Sequence, residues 1–382
     1  MRLLKVVLVL ALSASWVIQP TTRAHADRLL PRAIAKHHSH DMRGFEAVYA
    51  VGMQIREFED TSRPAWIGEG ARPLSTTVWY PTSSAENVKQ FEFPHGNPLF
   101  YGGIVAIGGQ LDPGSRRGLV VLSHGTGRSA LQLMWLGHAL AKRGYIVAAV
   151  NHHGNTAAER RYDARGFRMP WERAKNVSQV LDQLLEDPVF GSKIDQSRIF
   201  AGGFSLGGYT TIALAGGRTD LRRLSRFCAS EQADATCGPQ REYPQAEEHF
   251  ARILATDEAA RASVKTSGDD LSDPRIKAFF VIAPALAQAF SDESLRAISK
   301  RFLIIEGEFD DVAPAKTNSH RLRQQLPASR ISKIDGAGHF SFMAACTELG
   351  QAQLPICWEA EPTADRMTYH ADAVQQIEAF LD

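Results

Sequence analysis

Ile199-Phe200-Ala201-Gly202-Gly203-Phe204-Ser205-Leu206-Gly207-Gly208 decides how the rest of the chain is read. An apolar run typical of a buried strand leads into a serine with a glycine two residues away on either side. A small-residue, apolar stretch from Tyr209 to Gly216 follows. A serine that ends a strand and begins a helix at once sits in a cramped turn. Side chains two positions before and after it would collide there, so Gly203 and Gly207 fit that geometry. The turn lifts the hydroxyl clear of the sheet and puts the N–H groups of a fresh helix beside it. The pentapeptide alone also fits an ordinary strand–turn–helix. Its meaning depends on whether the chain supplies a base, an acid and an oxyanion site at matching places.

Upstream of the serine, Leu119 to Leu122 and Tyr145 to Val150 are short, wholly apolar runs. Between them, Leu131 to Arg143 carries Leu133, Leu136 and Leu140 at helical spacing. Pro170 opens a further helix with Val177, Val180, Leu181, Leu184 and Leu185 on one stripe. Downstream, Ala278 to Ile282, Phe302 to Ile305 and Ile331 to Ile334 read as strands, and the chain closes on a helix bearing Val374, Ile377, Phe380 and Leu381. Repeated strand–helix alternation with fully apolar strands means a parallel sheet covered on both faces. Tyr49 to Phe58 and Leu74 to Tyr80 alternate instead and predict antiparallel strands, with turns at Gly68, Gly70 and Pro73. Pro81 to Ser115, rich in Gly and Pro, reads as loop. Residues 219–274 interrupt the rhythm with a charged, helical composition and read as a cap-like insertion after the nucleophile helix. The expected fold is therefore α/β, with a mostly parallel central sheet, antiparallel N-terminal strands and helices on both faces.

Serine at its ordinary pKa needs a base, and histidine titrates near working pH. Of 13 histidines, His339 is best placed, on the glycine-loosened loop Asp335-Gly336-Ala337-Gly338-His339-Phe340 after a predicted last strand. An acid must fix its tautomer. Asp310, in Gly307-Glu308-Phe309-Asp310-Asp311, is the first choice, with Asp311 and then Glu308 as alternatives. Parallel strands end at one edge, so Ser205, Asp310 and His339, each just past a strand, converge there. Ser123-His124-Gly125-Thr126-Gly127 follows the first parallel strand at the same edge. The N–H groups of Thr126 and Leu206 are the expected oxyanion donors. His124 either braces that loop, the preferred reading, or faces the substrate pocket. His152 and His153 follow the next strand and are candidates for the pocket rim.

These segments resemble the α/β-hydrolase superfamily. More narrowly, the chain is similar to bacterial dienelactone-hydrolase-like and platelet-activating-factor acetylhydrolase-like esterases. The residues carrying the resemblance are Thr77-Val78-Trp79-Tyr80-Pro81, Ser123-His124-Gly125-Thr126-Gly127, Asn151-His152-His153-Gly154-Asn155-Thr156, Gly203-Phe204-Ser205-Leu206-Gly207-Gly208, Gly307-Glu308-Phe309-Asp310 and Gly338-His339-Phe340. Genuine dienelactone hydrolases use a cysteine where this chain has Ser205. The resemblance implies a serine ester hydrolase acting without metal or cofactor, and its acetylhydrolase side implies short or oxidised acyl chains. Two rival readings use the same residues: a polyesterase or peptidase with the same triad, and a catalytically silent binding module.

Composition sets outer bounds. At 382 residues, 44% apolar, the chain can bury a large core, and a net charge of +1 argues against nucleic acid or an anionic membrane as partner. Arg2 and Lys5, an apolar run from Val6 to Ile18, and Ala24-His25-Ala26 form a signal-peptide pattern over 1–26, leaving 27–382 as the hydrolase domain. That run is too short to anchor the chain in a membrane. The expected product is a periplasmic or secreted protein of unspecified oligomeric state. His37, His38 and His40 read as a solvated leader. Cys228, Cys237, Cys346 and Cys357 fall as two close pairs. Three connectivities exist, and local pairing is the simplest. Neither pair has the C-x-x-C spacing of a zinc site.

Overall fold

The structure is a computed structural model that describes residues 49–84, 86–361 and 363–382. The expected leader, 1–26, and His37, His38 and His40 lie outside the described residues. Among the described residues ten strands form one mixed sheet. They are β1 (Ala50–Pro64), β2 (Ala71–Thr82), β3 (Val88–Phe93), β4 (Phe100–Ile107), β5 (Arg117–Ser123), β6 (Ile146–Val150), β7 (Ile194–Phe204), β8 (Ala278–Ile282), β9 (Arg301–Gly307) and β10 (Ser329–Ile334). Their spatial order is β10-β9-β8-β7-β5-β6-β2-β1-β4-β3.

The strands from β5 to β10 are mutually parallel, and β2 joins them antiparallel through β6. Every residue of β5, β6 and β8 is buried, as wholly apolar runs require when helices cover both faces. The chain runs from β5 to β6 in one direction and then returns to β7 on the other side of β5. Right-handed crossovers therefore put successive helices on opposite faces and leave a crevice where the order reverses, between β5 and β7. On one face lie α1 (Met134–Lys142) and the last helix. After the short α2 (Ala164–Arg168), α3 (Glu172–Glu186) and α4 (Leu206–Leu214) pack on the other.

Between α4 and β8 run α5 (Leu221–Cys228), α6 (Ala246–Thr256) and α7 (Glu258–Lys265). They occupy the stretch whose composition breaks the strand–helix rhythm. The remaining helices are α8 (Asp292–Ala297), α9 (Ser319–Gln325), α10 (Glu348–Gln353) and α11 (Arg366–Leu381).

Two expectations are corrected. The stretch expected as loop, 81–115, contains the β3–β4 hairpin. Its alternation is hidden by Gly102 and Gly103. Gly103 has a positive φ, and the strand register shifts close by. Gly102 has no room for a side chain, because Met134 and Phe91 fill the space a methyl would occupy. Pro73 lies not in a turn but within β2, opposite Glu59. β6 pairs only with Thr76 to Trp79, so Pro73 sits beyond that partner, where no ladder donor is needed.

Candidate active site

The crevice between β5 and β7 is where the chemistry-bearing residues meet. Ser205 ends β7 with φ 55°, a conformation rare outside glycine, and serves as the N-cap of α4. The flanking glycines are sterically compulsory. A methyl on Gly203 would lie 2.1 Å from the carbonyl oxygen of Gly207, and one on Gly207 would lie 1.8 Å from that of Ser123. Backbone bonds fix the turn: Ser205 N–H donates to Ile282 O at 3.0 Å, and Ser205 O accepts from Gly208 and Ala285.

Ser205 Oγ lies 3.0 Å from His339 Nε2, and His339 Nδ1 lies 2.8 Å from Asp310 Oδ2. All three residues are buried. With Nδ1 against a carboxylate, that nitrogen carries the proton and Nε2 is left to accept from the serine. The His339 ring packs against Phe204 and Phe340. The other oxygen of Asp310 accepts from the N–H groups of Val312 and Ala313, which fixes the carboxylate. The alternatives are turned elsewhere. Glu308 accepts from Gly336 N–H and Lys333, while Asp311 is exposed at the cavity.

A cavity of about 690 Å³ opens over this relay. Thr126 and Leu206 both line it, and neither N–H has an acceptor among the described residues. Two free backbone donors beside a poised hydroxyl suit the oxygen of a tetrahedral adduct.

The three histidines weighed as pocket residues do not line the cavity. His124 is fully buried, its Nδ1–H donating to Gly125 O at 2.7 Å while Nε2 accepts from the N–H of His152 at 3.1 Å. Burial, reinforced by the Arg173 guanidinium, holds its pKa well below the usual range. A neutral ring thus grips the carbonyl of the peptide whose N–H belongs to Thr126. In a trans peptide the two point oppositely, so this bond aims that N–H. His152 bonds Ser123 Oγ at 2.8 Å and Asn176. His153 accepts from Trp66 and Ile67 N–H and meets Glu159, bracing the β1–β2 turn.

Sequence reasoning missed the rest of the clamp. Arg173, itself buried, donates to His124 O, and Asn155 accepts from Gly127 N–H. Tyr162 donates to Gly127 O, and Asn151 accepts from Ala130 N–H. The two asparagines stand in the Asn-His-His-Gly-Asn stretch, and that was the available signal. On the far side, Glu242 folds over Gly127, whose missing side chain makes room, and pairs with Arg128 at 2.7 Å. Both expected local cysteine pairs are bonded, Cys228 to Cys237 and Cys346 to Cys357. The first pair lines the cavity.

A model described as Alpha/beta hydrolase family matches residues 120–351, well over half of the chain. The chain belongs to the alpha/beta hydrolase family. Among curated relatives, Cutinase 2 of Thermobifida cellulosilytica is 31% identical over 107 residues, 28% of this chain and 37% of that protein. Cutinase est2 of Thermobifida alba and Cutinase cut1 of Thermobifida fusca match over the same length, with 32% and 30% of their own lengths covered. The chain spans about a third of the length of the curated relatives it matches. Among solved structures, a ferulic acid esterase from Streptomyces cinnamoneus superposes with a TM-score of 0.57 at 20% identity. That match covers 87% of this chain and 89% of that one, a likeness of fold.

Proposed function

We propose that this alpha/beta hydrolase is an exported serine ester hydrolase acting on small carboxylic esters through an acyl-enzyme. The observation that carries the reading is the continuous relay from Asp310 through His339 to Ser205, with two unused N–H donors beside it. Ser205 Oγ attacks the ester carbonyl as His339 Nε2 takes its proton. The N–H groups of Thr126 and Leu206 receive the developing oxyanion, and Asp310 holds the imidazolium in place. His339 then protonates the departing alkoxide. Water, deprotonated by the same ring, attacks the acyl-enzyme and frees the acid.

Export rests on the signal-peptide pattern at 1–26 and is supported by two disulfides, which persist in oxidising compartments. Among the described residues no helix is long and apolar enough to cross a membrane. The insertion 219–274 acts as the cap over the cavity, and a short acyl group fits the narrower resemblance to acetylhydrolase-like esterases. The similarity to cutinases favours a second reading, a polyesterase. Against it, Leu221, Leu224 and Cys228 of the insertion wall the cavity, whereas a polymer needs an open cleft. Hydrolysis of p-nitrophenyl esters from C2 to C16, run beside a polyester film, separates the two. Turnover concentrated at short chains with no film erosion is expected. Film erosion at comparable rates transfers the assignment to the polyesterase, and no turnover of any ester refutes both.

A further inference from the structure

Resting on the ester-hydrolase reading, we propose that Leu286 is a specificity-determining wall of the cavity, against which the substrate presents a neutral, apolar substituent. Leu286 has φ 60° and ψ 29°, the left-handed region where a side chain of this size is disfavoured and glycine is at ease. Three residues earlier Ala283 also has positive φ, at 44°. A strained leucine where glycine would fit freely points to a use for the side chain.

The strain is held from both sides. Ala283 N–H donates to Ile305 O at 2.8 Å, and Ala285 N–H to Ser205 O at 3.1 Å. Beyond Leu286, Ala287 N–H donates to the buried Asn318 Oδ1 at 3.1 Å, and Gln288 Nε2 donates to Thr317 O. The backbone of the nucleophile and that of Leu286 are therefore linked through one hydrogen bond. The Leu286 side chain lines the same cavity as Ser205, with Phe167, Trp171, Leu221 and Leu224 as further apolar wall.

The charge around the cavity is balanced. Arg128 pairs with Glu242 and Arg168 with Glu247. The remaining charged side chains lining it, leaving His339 aside, are Arg241 and Asp311, one of each sign. No surplus charge is left to hold an ionic substituent, and the wall rewards apolar surface instead.

The test measures kcat/KM for Leu286→Gly, Leu286→Ala and Leu286→Phe along two series: p-nitrophenyl esters of lengthening acids, and acetates of lengthening alkanols. Gly and Ala should raise the ratio of longer to shorter substrate about tenfold in one series, and Phe should lower it. The series that moves tells whether the acyl or the alcohol half meets Leu286. Gly also relieves the backbone, so a folded protein with a retained melting temperature is expected. Folded Gly and Ala variants with the wild-type profile in both series overturn this inference alone. A wild type that hydrolyses no ester overturns it together with the proposed function.

Discussion

The sheet edge that carries Ser205 and the insertion that faces it follow opposite structural rules. At the edge, tolerance is nil: a methyl on Gly207 would lie 1.8 Å from Ser123 O, and Asp310, His339 and Ser205 are joined by bonds of 2.8 and 3.0 Å. Across the cavity, the insertion is braced internally by a disulfide and joined to the rest of the chain by ion pairs, Arg128–Glu242, Arg165–Asp257 and Arg223–Asp292 among them, and by the carboxylate of Asp234, which accepts from Thr317 and Asn318. Its contribution to the cavity mixes apolar side chains, Leu221 and Leu224 among them, with polar ones such as Ser225, Gln240 and Glu242. On the proposed function, chemistry would be fixed by backbone sterics and hydrogen bonds at the edge, and selectivity by packing in the cavity.

The sharpest way to break that contrast is at the edge. In Asp310→Asn, the carbonyl oxygen can still accept from Val312 and Ala313, but the amide NH2 then faces His339 Nδ1 and favours the wrong tautomer. The fold should persist while kcat falls by roughly 10³–10⁴. A loss below tenfold in steady-state kinetics would mean that the carboxylate does not orient the ring.

The two disulfides sharpen the comparison, because each closes a loop of similar length, with sequence separations of 9 and 11. Removing either by Cys→Ser pairs should cost about 2.5–3 kcal/mol on the chain-entropy account, measured by denaturant unfolding. Only loss of Cys228–Cys237 should also alter the ester chain-length profile, since both its residues line the cavity. Cys346–Cys357 packs instead beside Phe93 and Phe100. Equal effects of the two on the profile would contradict the separation of roles.

A further effect is expected on stability against pH. Burial, with Arg366 beside it, pushes His370 down to about 3, and burial also holds His124 and His152 well below their ordinary value. These rings stay neutral when folded, while the unfolded chain takes up protons from about 6.5 downward. Stability should be full above that value and fall progressively toward pH 3. His370 alone accounts for about 2 kcal/mol by pH 5, at ~1.4 kcal/mol per unit. Burial pushes Glu172 up, but Lys175, Ser263 and Arg63 outweigh it and hold the carboxylate low, so its own loss begins only below about 4.5. Unfolding midpoints that stay constant between pH 7 and pH 5 would contradict the neutral buried rings.

What could be read from the sequence follows the same divide. Gly203 and Gly207 are legible because a side chain at either would collide with backbone in that turn, which marks Ser205 between them, and the strand runs are legible because burial on both faces demands uniform apolarity. Asp310 could be favoured but not separated from Asp311 and Glu308, since three adjacent carboxylates differ only in which way the turn aims them. The bonds that clamp the Thr126 loop come from Asn151 and Asn155, signalled only by their place in the Asn-His-His-Gly-Asn stretch, and from Tyr162 and Arg173, up to some fifty positions away with no spacing signal of their own. Leu286 was invisible, because its positive φ belongs to the backbone path and not to the residue type. The β3–β4 hairpin was missed because a bulge at Gly103 disrupts the alternation that marks a strand.

The central claim is that Ser205 is an activated nucleophile, and mass spectrometry of the folded protein after treatment with an alkyl fluorophosphonate tests it most directly. A single adduct on the peptide containing Ser205, lost in Ser205→Ala, is the predicted result. No adduct, or one mapped to a different residue, would contradict the account.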